Sequence, residues 1–167
     1  MADIQIKRLD RTLLGALAAK AGAAERRRTN YNLHERFDDP IQRLLILMKQ
    51  NTYIRPHRHA EAGKWECVMI VQGAMDLLVF DEDGLVLERI GLGLGRDAIG
   101  VELPPGAWHT SVPREDDTVF FEVKPGPYDV RTANDFAAWS CPEGDSGAAM
   151  FRDWLERARP GDRPPGS

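Results

Sequence analysis

Between residues 41 and 124 the chain is a succession of short apolar runs, each ended within a few residues by Gly, Pro or Asp. This punctuation limits the available folds more than any other feature. Leu44-Leu45-Ile46-Leu47-Met48 reads as a buried strand. Runs at residues 65–72 and 74–80 flank Gly73, and Asp81-Glu82-Asp83-Gly84 supplies a turn before a strand at 85–90. Further strands are expected at 99–103, 108–112 and 118–124. Segments this short, with turn residues between them, favour a sandwich or barrel over α/β layers. An all-β double-sheet jelly roll is one such solution. Helices are expected only near the ends. Asp10 can cap one in which Leu13, Leu14, Leu17 and Ala21 recur at helical spacing, closing near Gly22, and a short one is expected at 151–157.

At 167 residues the chain suits one well-cored domain. The expected organisation is an N-terminal helical segment at 1–24, a barrel at 25–140 and a C-terminal extension at 141–167, its stretch from 159 onward reading as a disordered tail. No apolar run is long enough to cross a bilayer, and the first seven residues lack the apolar stretch of a signal peptide, so a cytoplasmic protein with no membrane partner is expected. Cys67 and Cys141 are too few and too distant for a disulfide framework. A net charge of −4 argues against a nucleic-acid partner. Arginine outnumbers lysine 17 to 5, which suits bidentate binding of carboxylate or phosphate and equally fits genome composition. Exposed sheet edges make a homodimer an expectation.

Three of the four histidines fall in two short segments, His57-Arg58-His59 and Pro104-Pro105-Gly106-Ala107-Trp108-His109. On an extended segment His57 and His59 project to one face and can offer two nitrogens to one ion. Glu66 and His109 can complete the shell from neighbouring strands. Imidazoles with one carboxylate suit a divalent first-row transition metal (Zn, Mn, Fe or Ni) and leave positions open for a substrate. Glu61 is a rival carboxylate. Cys67, beside Glu66, is directed by strand alternation to the opposite face.

Upstream, Arg26, Arg28, Asn30, Asn32 and His34 fall at every second position, so an extended conformation puts all five on one face. One reading is the solvated face of an edge strand. The other is the mouth of the barrel, where guanidinium groups clamp an anion and amides sort hydroxyls. Glu122 and Lys124 make a second polar row with Phe120. A buried Glu–Lys pair is either structural or a general acid and base, since burial moves both pKa values toward neutrality.

The series His57-x-His59, Glu66, six residues, Gly73, and then Pro104-x-Gly106-x-x-His109, resembles the two motifs of the cupin superfamily. It departs from them in the six-residue gap between His59 and Glu66, in the closeness of Gly100 to Pro104, and in Pro113 where the motif has Asn. With the row from Arg26 to His34, Asp39, Gln42-Arg43-Leu44, Tyr53-x-x-Pro56, Phe121-Glu122-Val123-Lys124, Gly126-Pro127-Tyr128-Asp129 and Phe136-Ala137-Ala138-Trp139, the chain is similar to the WbuC family of cupin-fold metalloproteins over about residues 10–140. The resemblance implies a cupin double-stranded β-helix with one bound metal and a sugar or nucleotide-sugar ligand, since members occur among genes for bacterial surface polysaccharides.

The expected activity is that of a metal-dependent isomerase or epimerase acting on a sugar or sugar acid. His57, His59, Glu66 and His109 would hold the ion. His34 or the Glu122–Lys124 pair would move a proton, and Arg26, Arg28, Asn30 and Asn32 would bind a sugar-like or anionic ligand. The alternatives are an iron-dependent dioxygenase, a non-catalytic sugar-binding or regulatory cupin, and a metal that only ties strands together.

Overall fold

The structure, a computed structural model, describes residues 4–166. After the helix α1 (Arg11–Ala23) the chain forms β1 (Arg28–Asn32), β2 (Ile41–Met48), β3 (His57–Arg58), β4 (Glu66–Gln72) and β5 (Ala74–Phe80). Then come β6 (Val86–Gly93), β7 (Gly100–Leu103), β8 (Trp108–Pro113), β9 (Thr118–Pro125), β10 (Asp135–Phe136) and the helix α2 (Ala148–Arg157). Two five-stranded antiparallel sheets result, in the orders β1-β2-β9-β4-β7 and β10-β3-β8-β5-β6. This is the all-β double-stranded β-helix of the cupins, with a short helix at each end of the chain.

Alternation along the strands sorts side chains into three cores. Met48, Val68, Met75, Leu77, Leu92, Leu103 and Phe120 meet between the sheets. Leu45, Leu47 and Val119 face outward from the first sheet and are covered by Leu17 and Ala21 of α1. Helix α1 begins where expected, with the Leu13 N–H donating to Asp10 Oδ1 at 3.0 Å. Leu78, Phe80, Val86, Trp108 and Val112 face outward from the second sheet and pack against Phe151 and Leu155 of α2.

Gly73 carries the chain from β4 in one sheet to β5 in the other. Its φ is +73°, and a Cβ there would lie 2.8 Å from Thr118 Oγ1 and 3.1 Å from Thr118 Cα, so only glycine fits without displacement.

The expectation of a disordered tail from residue 159 is corrected. Ala158 is buried, the Gly161 N–H donates to Val86 O at 2.9 Å, and the Val86 N–H donates to Asp162 O at 3.0 Å. Backbone groups hold this segment to the start of β6 whatever its side chains are. Residue 167 lies outside the described residues. Helix α2 is held in turn by buried charge. Asp76 accepts from Arg89 Nε at 2.8 Å, Arg114 Nε at 2.6 Å and Arg96 Nη2 at 2.6 Å. Arg89 also donates to Leu155 O at 3.0 Å and Ala158 O at 2.5 Å, and Arg114 to Glu156 O at 2.7 Å. These are C-terminal carbonyls of α2, where cations are favoured. No helix among the described residues is long and apolar enough to cross a membrane.

Candidate metal centre

β3 pairs with β8 so that His57 stands directly opposite His109. The Gly106 N–H donates to His59 O at 2.9 Å, which ties the proline–glycine turn before β8 to the end of the His-x-His segment. Between the two histidines Arg58 faces outward, its guanidinium 4.4 Å from the Trp108 ring centroid and bonded to Asp135 and Glu82. Glu66 comes from the opposite sheet, at the start of β4. Candidate ligand atoms of His57, His59 and His109 lie within 4.8 Å of one another, a spacing that one ion can bridge.

Hydrogen bonding fixes the tautomers. His57 Nδ1 is 2.9 Å from Arg55 O, His59 Nδ1 is 2.6 Å from Ala133 O, and His109 Nδ1 is 2.9 Å from Ala107 O. A carbonyl only accepts, so each Nδ1 carries the proton and each neutral ring keeps its lone pair on Nε2. Glu66 Oε2 is 2.7 Å from His59 Nε2 and 3.5 Å from His109 Nε2. Atoms this close need either a proton or a metal ion between them, and the buried set of imidazoles plus one carboxylate fits a divalent first-row metal. Burial, followed by the charge of His109, lowers the His57 pKa to about 3, so this ring is a neutral donor at ordinary pH. Burial alone would raise Glu66, but the hydrogen bonds that His109 and His59 donate from Nε2 when protonated hold it well below the usual carboxylate range. Burial would likewise lower His109, and its bond to Glu66 raises it instead. Glu61 stays outside this cluster, exposed and 4.0 Å from Lys64. Cys67 points away with the outer face of β4.

The centre opens on a cavity of about 420 Å³ between the sheets, within the range of small-molecule sites. Arg26, Arg28, Asn30, Asn32 and His34 all line it, as do Glu122 and Lys124. β1 itself spans only Arg28–Asn32, because Arg27 takes a left-handed turn at φ 53°. Glu122 lies beside Leu44 of β2 and Val68 of β4, on the same inner face as Glu66. Lys124 Nζ is 2.6 Å from Glu122 Oε1. Burial, then the charge of Glu66, raises Glu122 to about 7. Burial alone would lower Lys124, but Glu122 and Glu66 push it up to about 12.

His34 is buried, and its Nδ1 lies 3.0 Å from both the N and the O of Arg43, so it can accept from the one or donate to the other. Nε2 has no hydrogen-bond partner among the described residues. The ring thus offers the cavity a free nitrogen that donates or accepts according to the tautomer. Asn30 Nδ2 donates to Asn32 Oδ1 at 2.6 Å.

Sequence reasoning missed Glu143. Arg26 Nε donates to its Oε2 at 2.7 Å, and Arg26 Nη2 and Arg28 Nη2 donate to its Oε1 at 3.1 and 2.6 Å. The two arginines therefore already hold a carboxylate, supplied by the C-terminal extension. Burial would raise the Glu143 pKa, but the two guanidinium groups keep it below the usual value. Nothing in the spacing around Glu143 marks it, since it lies in a loop without periodicity. The second omission is Ala133, whose backbone carbonyl orients His59.

Fold and site together define a cupin-fold protein with a candidate three-histidine, one-carboxylate metal centre facing a polar cavity. The model of a family described as a domain of unknown function (DUF6016) matches residues 9–92, half of the chain, and the chain belongs to that family. No curated protein matches it. Among solved structures, protein SO0799 from Shewanella oneidensis is similar at a TM-score of 0.53 and 11% identity, over 66% of this chain and 73% of that one. The DMSP lyase DddQ from Ruegeria pomeroyi is similar at a TM-score of 0.51 and 20% identity, over 71% of this chain and 54% of the lyase. A cupin 2 conserved barrel domain protein from Rhodopseudomonas palustris has a TM-score of 0.49 and 21% identity, over 75% and 73% of the two chains. At these identities likeness speaks for the fold alone.

Proposed function

We propose that this chain is a metal-dependent enzyme of the isomerase or epimerase type, acting on a sugar, sugar acid or nucleotide-sugar in bacterial surface polysaccharide metabolism. The carrying observation is the convergence of three Nε2 lone pairs beside Glu66, at a cavity that also presents the Glu122–Lys124 pair. The polysaccharide setting rests on the resemblance to the WbuC family.

A zinc, manganese, iron or nickel ion held by His57, His59, His109 and Glu66 would supply Lewis-acid stabilisation of negative charge on a carbonyl oxygen. Glu122 is the group to take and return a proton, because burial places its pKa at about 7, where both protonation states are populated. Lys124 stays charged and holds Glu122 in place at 2.6 Å. His34 hydrogen-bonds the ligand through Nε2, Asn30 and Asn32 contact hydroxyls, and Arg26 and Arg28 bind the ligand's carboxylate or phosphate.

The test is to measure the metal content of protein purified without chelator, then to incubate it with candidate sugars and sugar acids in deuterated water. About one first-row ion per chain and deuterium at a carbon next to the carbonyl are expected. Absence of deuterium across the panel under all four metals overturns the enzymatic reading, and ligand binding without exchange then leaves a sugar-binding cupin.

A further inference from the structure

Glu143 occupies the position in the cavity wall that an anionic ligand would take. Its carboxylate sits in a planar fork on Arg26 and reaches Arg28 with one oxygen. Arg28 does not depend on Glu143 for its placement. Its Nη1 also donates to Tyr53 O at 2.8 Å and to Thr52 Oγ1 at 3.3 Å. Thr52 is fixed in turn, donating from Oγ1 to Arg26 O at 2.6 Å. The Arg28 side chain is 12% exposed, so its charge needs an anion beside it in every state of the cavity. Glu143 itself is carried by a loop outside the two sheets. Tyr53 OH anchors the loop by donating to Cys141 O at 2.6 Å, and Gly144 follows Glu143 at φ +87°. Replacing Glu143 by another carboxylate leaves the number of charge-assisted bonds unchanged, so the exchange is close to balanced. A neutral hydroxyl cannot make it, because it would leave Arg28 buried without a counter-charge. The Nε2 of His34 on the same cavity wall, without a hydrogen-bond partner among the described residues, is a second polar atom kept for a ligand.

We propose that Arg26 and Arg28 form a carboxylate subsite for a sugar acid, and that Glu143 is its internal stand-in, displaced when the ligand's own carboxylate enters. The inference rests on the proposed sugar or sugar-acid ligand and selects the acid. Glu143 is then a specificity-determining residue: it raises the threshold for any ligand without a carboxylate and closes the subsite between ligands.

Titration calorimetry with galacturonate, and with galactose as the neutral control, tests this on metal-loaded wild type, Glu143→Ala and Glu143→Gln. Glu143→Ala is expected to bind galacturonate at least tenfold more tightly than wild type and galactose no better, and adding Arg28→Met should abolish the gain. Glu143→Gln keeps the size and removes the charge, so it is read by the same criterion if the alanine variant does not fold. Unchanged, weaker or undetectable galacturonate binding in the folded variants overturns the proposal and leaves Glu143 a strut between loop and barrel. Metal content and deuterium exchange report on the enzymatic reading separately. An active enzyme can lack the gain, and a catalytically silent one can show it.

Discussion

Replacing His59 with alanine separates the metal from the fold. His59 is the imidazole nearest Glu66, at 2.7 Å, and its ring is held from behind by Ala133 O at 2.6 Å. An ion that binds only the folded state stabilises it by about 2.7 kcal/mol at a free concentration of about 100 Kd. At about 2–4 °C per kcal/mol for a domain of this size, that is a rise in Tm of about 5–11 °C. The variant keeps two imidazoles and Glu66 and should lose most of this rise. Metal-free, it also lacks the His59–Glu66 contact, so the cost to the fold is read from the two metal-free proteins and the metal contribution from the difference of differences. The assay is thermal unfolding followed by circular dichroism, on chelator-stripped protein with and without zinc, manganese, iron or nickel, alongside elemental analysis. If the variant gains as many degrees as wild type, or wild type gains none with any of the four ions, the four residues are not a metal centre.

Asp76→Asn removes the counter-charge shared by Arg89, Arg96 and Arg114 and should cost about 3–5 kcal/mol, as breaking buried ion pairs does. Hydrogen exchange should quicken first in α2, and unchanged protection there would refute the docking role. Gly73→Ala should destabilise by about 1–3 kcal/mol from backbone strain, with the contact to Thr118 adding to it; an unchanged urea midpoint counts against that account. The folded pKa of Glu122 is raised, so its stabilising contribution is fully present below its ordinary value of 4.5 and is lost as pH rises toward about 7. In Glu122→Gln, metal-free stability should therefore fall less between pH 4.5 and 7 than in wild type, and parallel profiles by urea unfolding would be the contrary result.

How much of this was readable in advance follows from what kind of physics leaves a trace in sequence. Period-two alternation and turn residues are local, so the strands and the helix capped by Asp10 could be read directly, with boundaries shifted by a few residues. At β2, for example, the ladder to β9 extends the apolar run back to Ile41. Histidine is rare in this chain, so three of four in two short segments stood out. Choosing Glu66 over Glu61 needed the spacing to Gly73. Glu143 left no trace, because a single carboxylate on a loop meets its arginines through tertiary folding alone. Asp76 and its arginines were missed for the same reason, their positions lying far apart in the chain. The segment from 159 onward misled because composition registers apolar side chains and is blind to backbone hydrogen bonds.

The outward face of β5, β6 and β8 is covered largely by a helix that is made after both sheets. A polypeptide leaving the ribosome N-terminus first has every strand of the two sheets once Phe136 is made, when Phe151 and Leu155 do not yet exist. At about 5–20 residues per second, the stretch from Phe136 to Leu155 takes roughly 1–4 s to add. Through that interval Leu78, Phe80 and Val86 are bare to the cytosol of any host cell making the protein. The nascent chain is therefore stickiest just before α2 is made, and slow codons or stalled translation in that stretch should lower yield more than the same delay placed earlier.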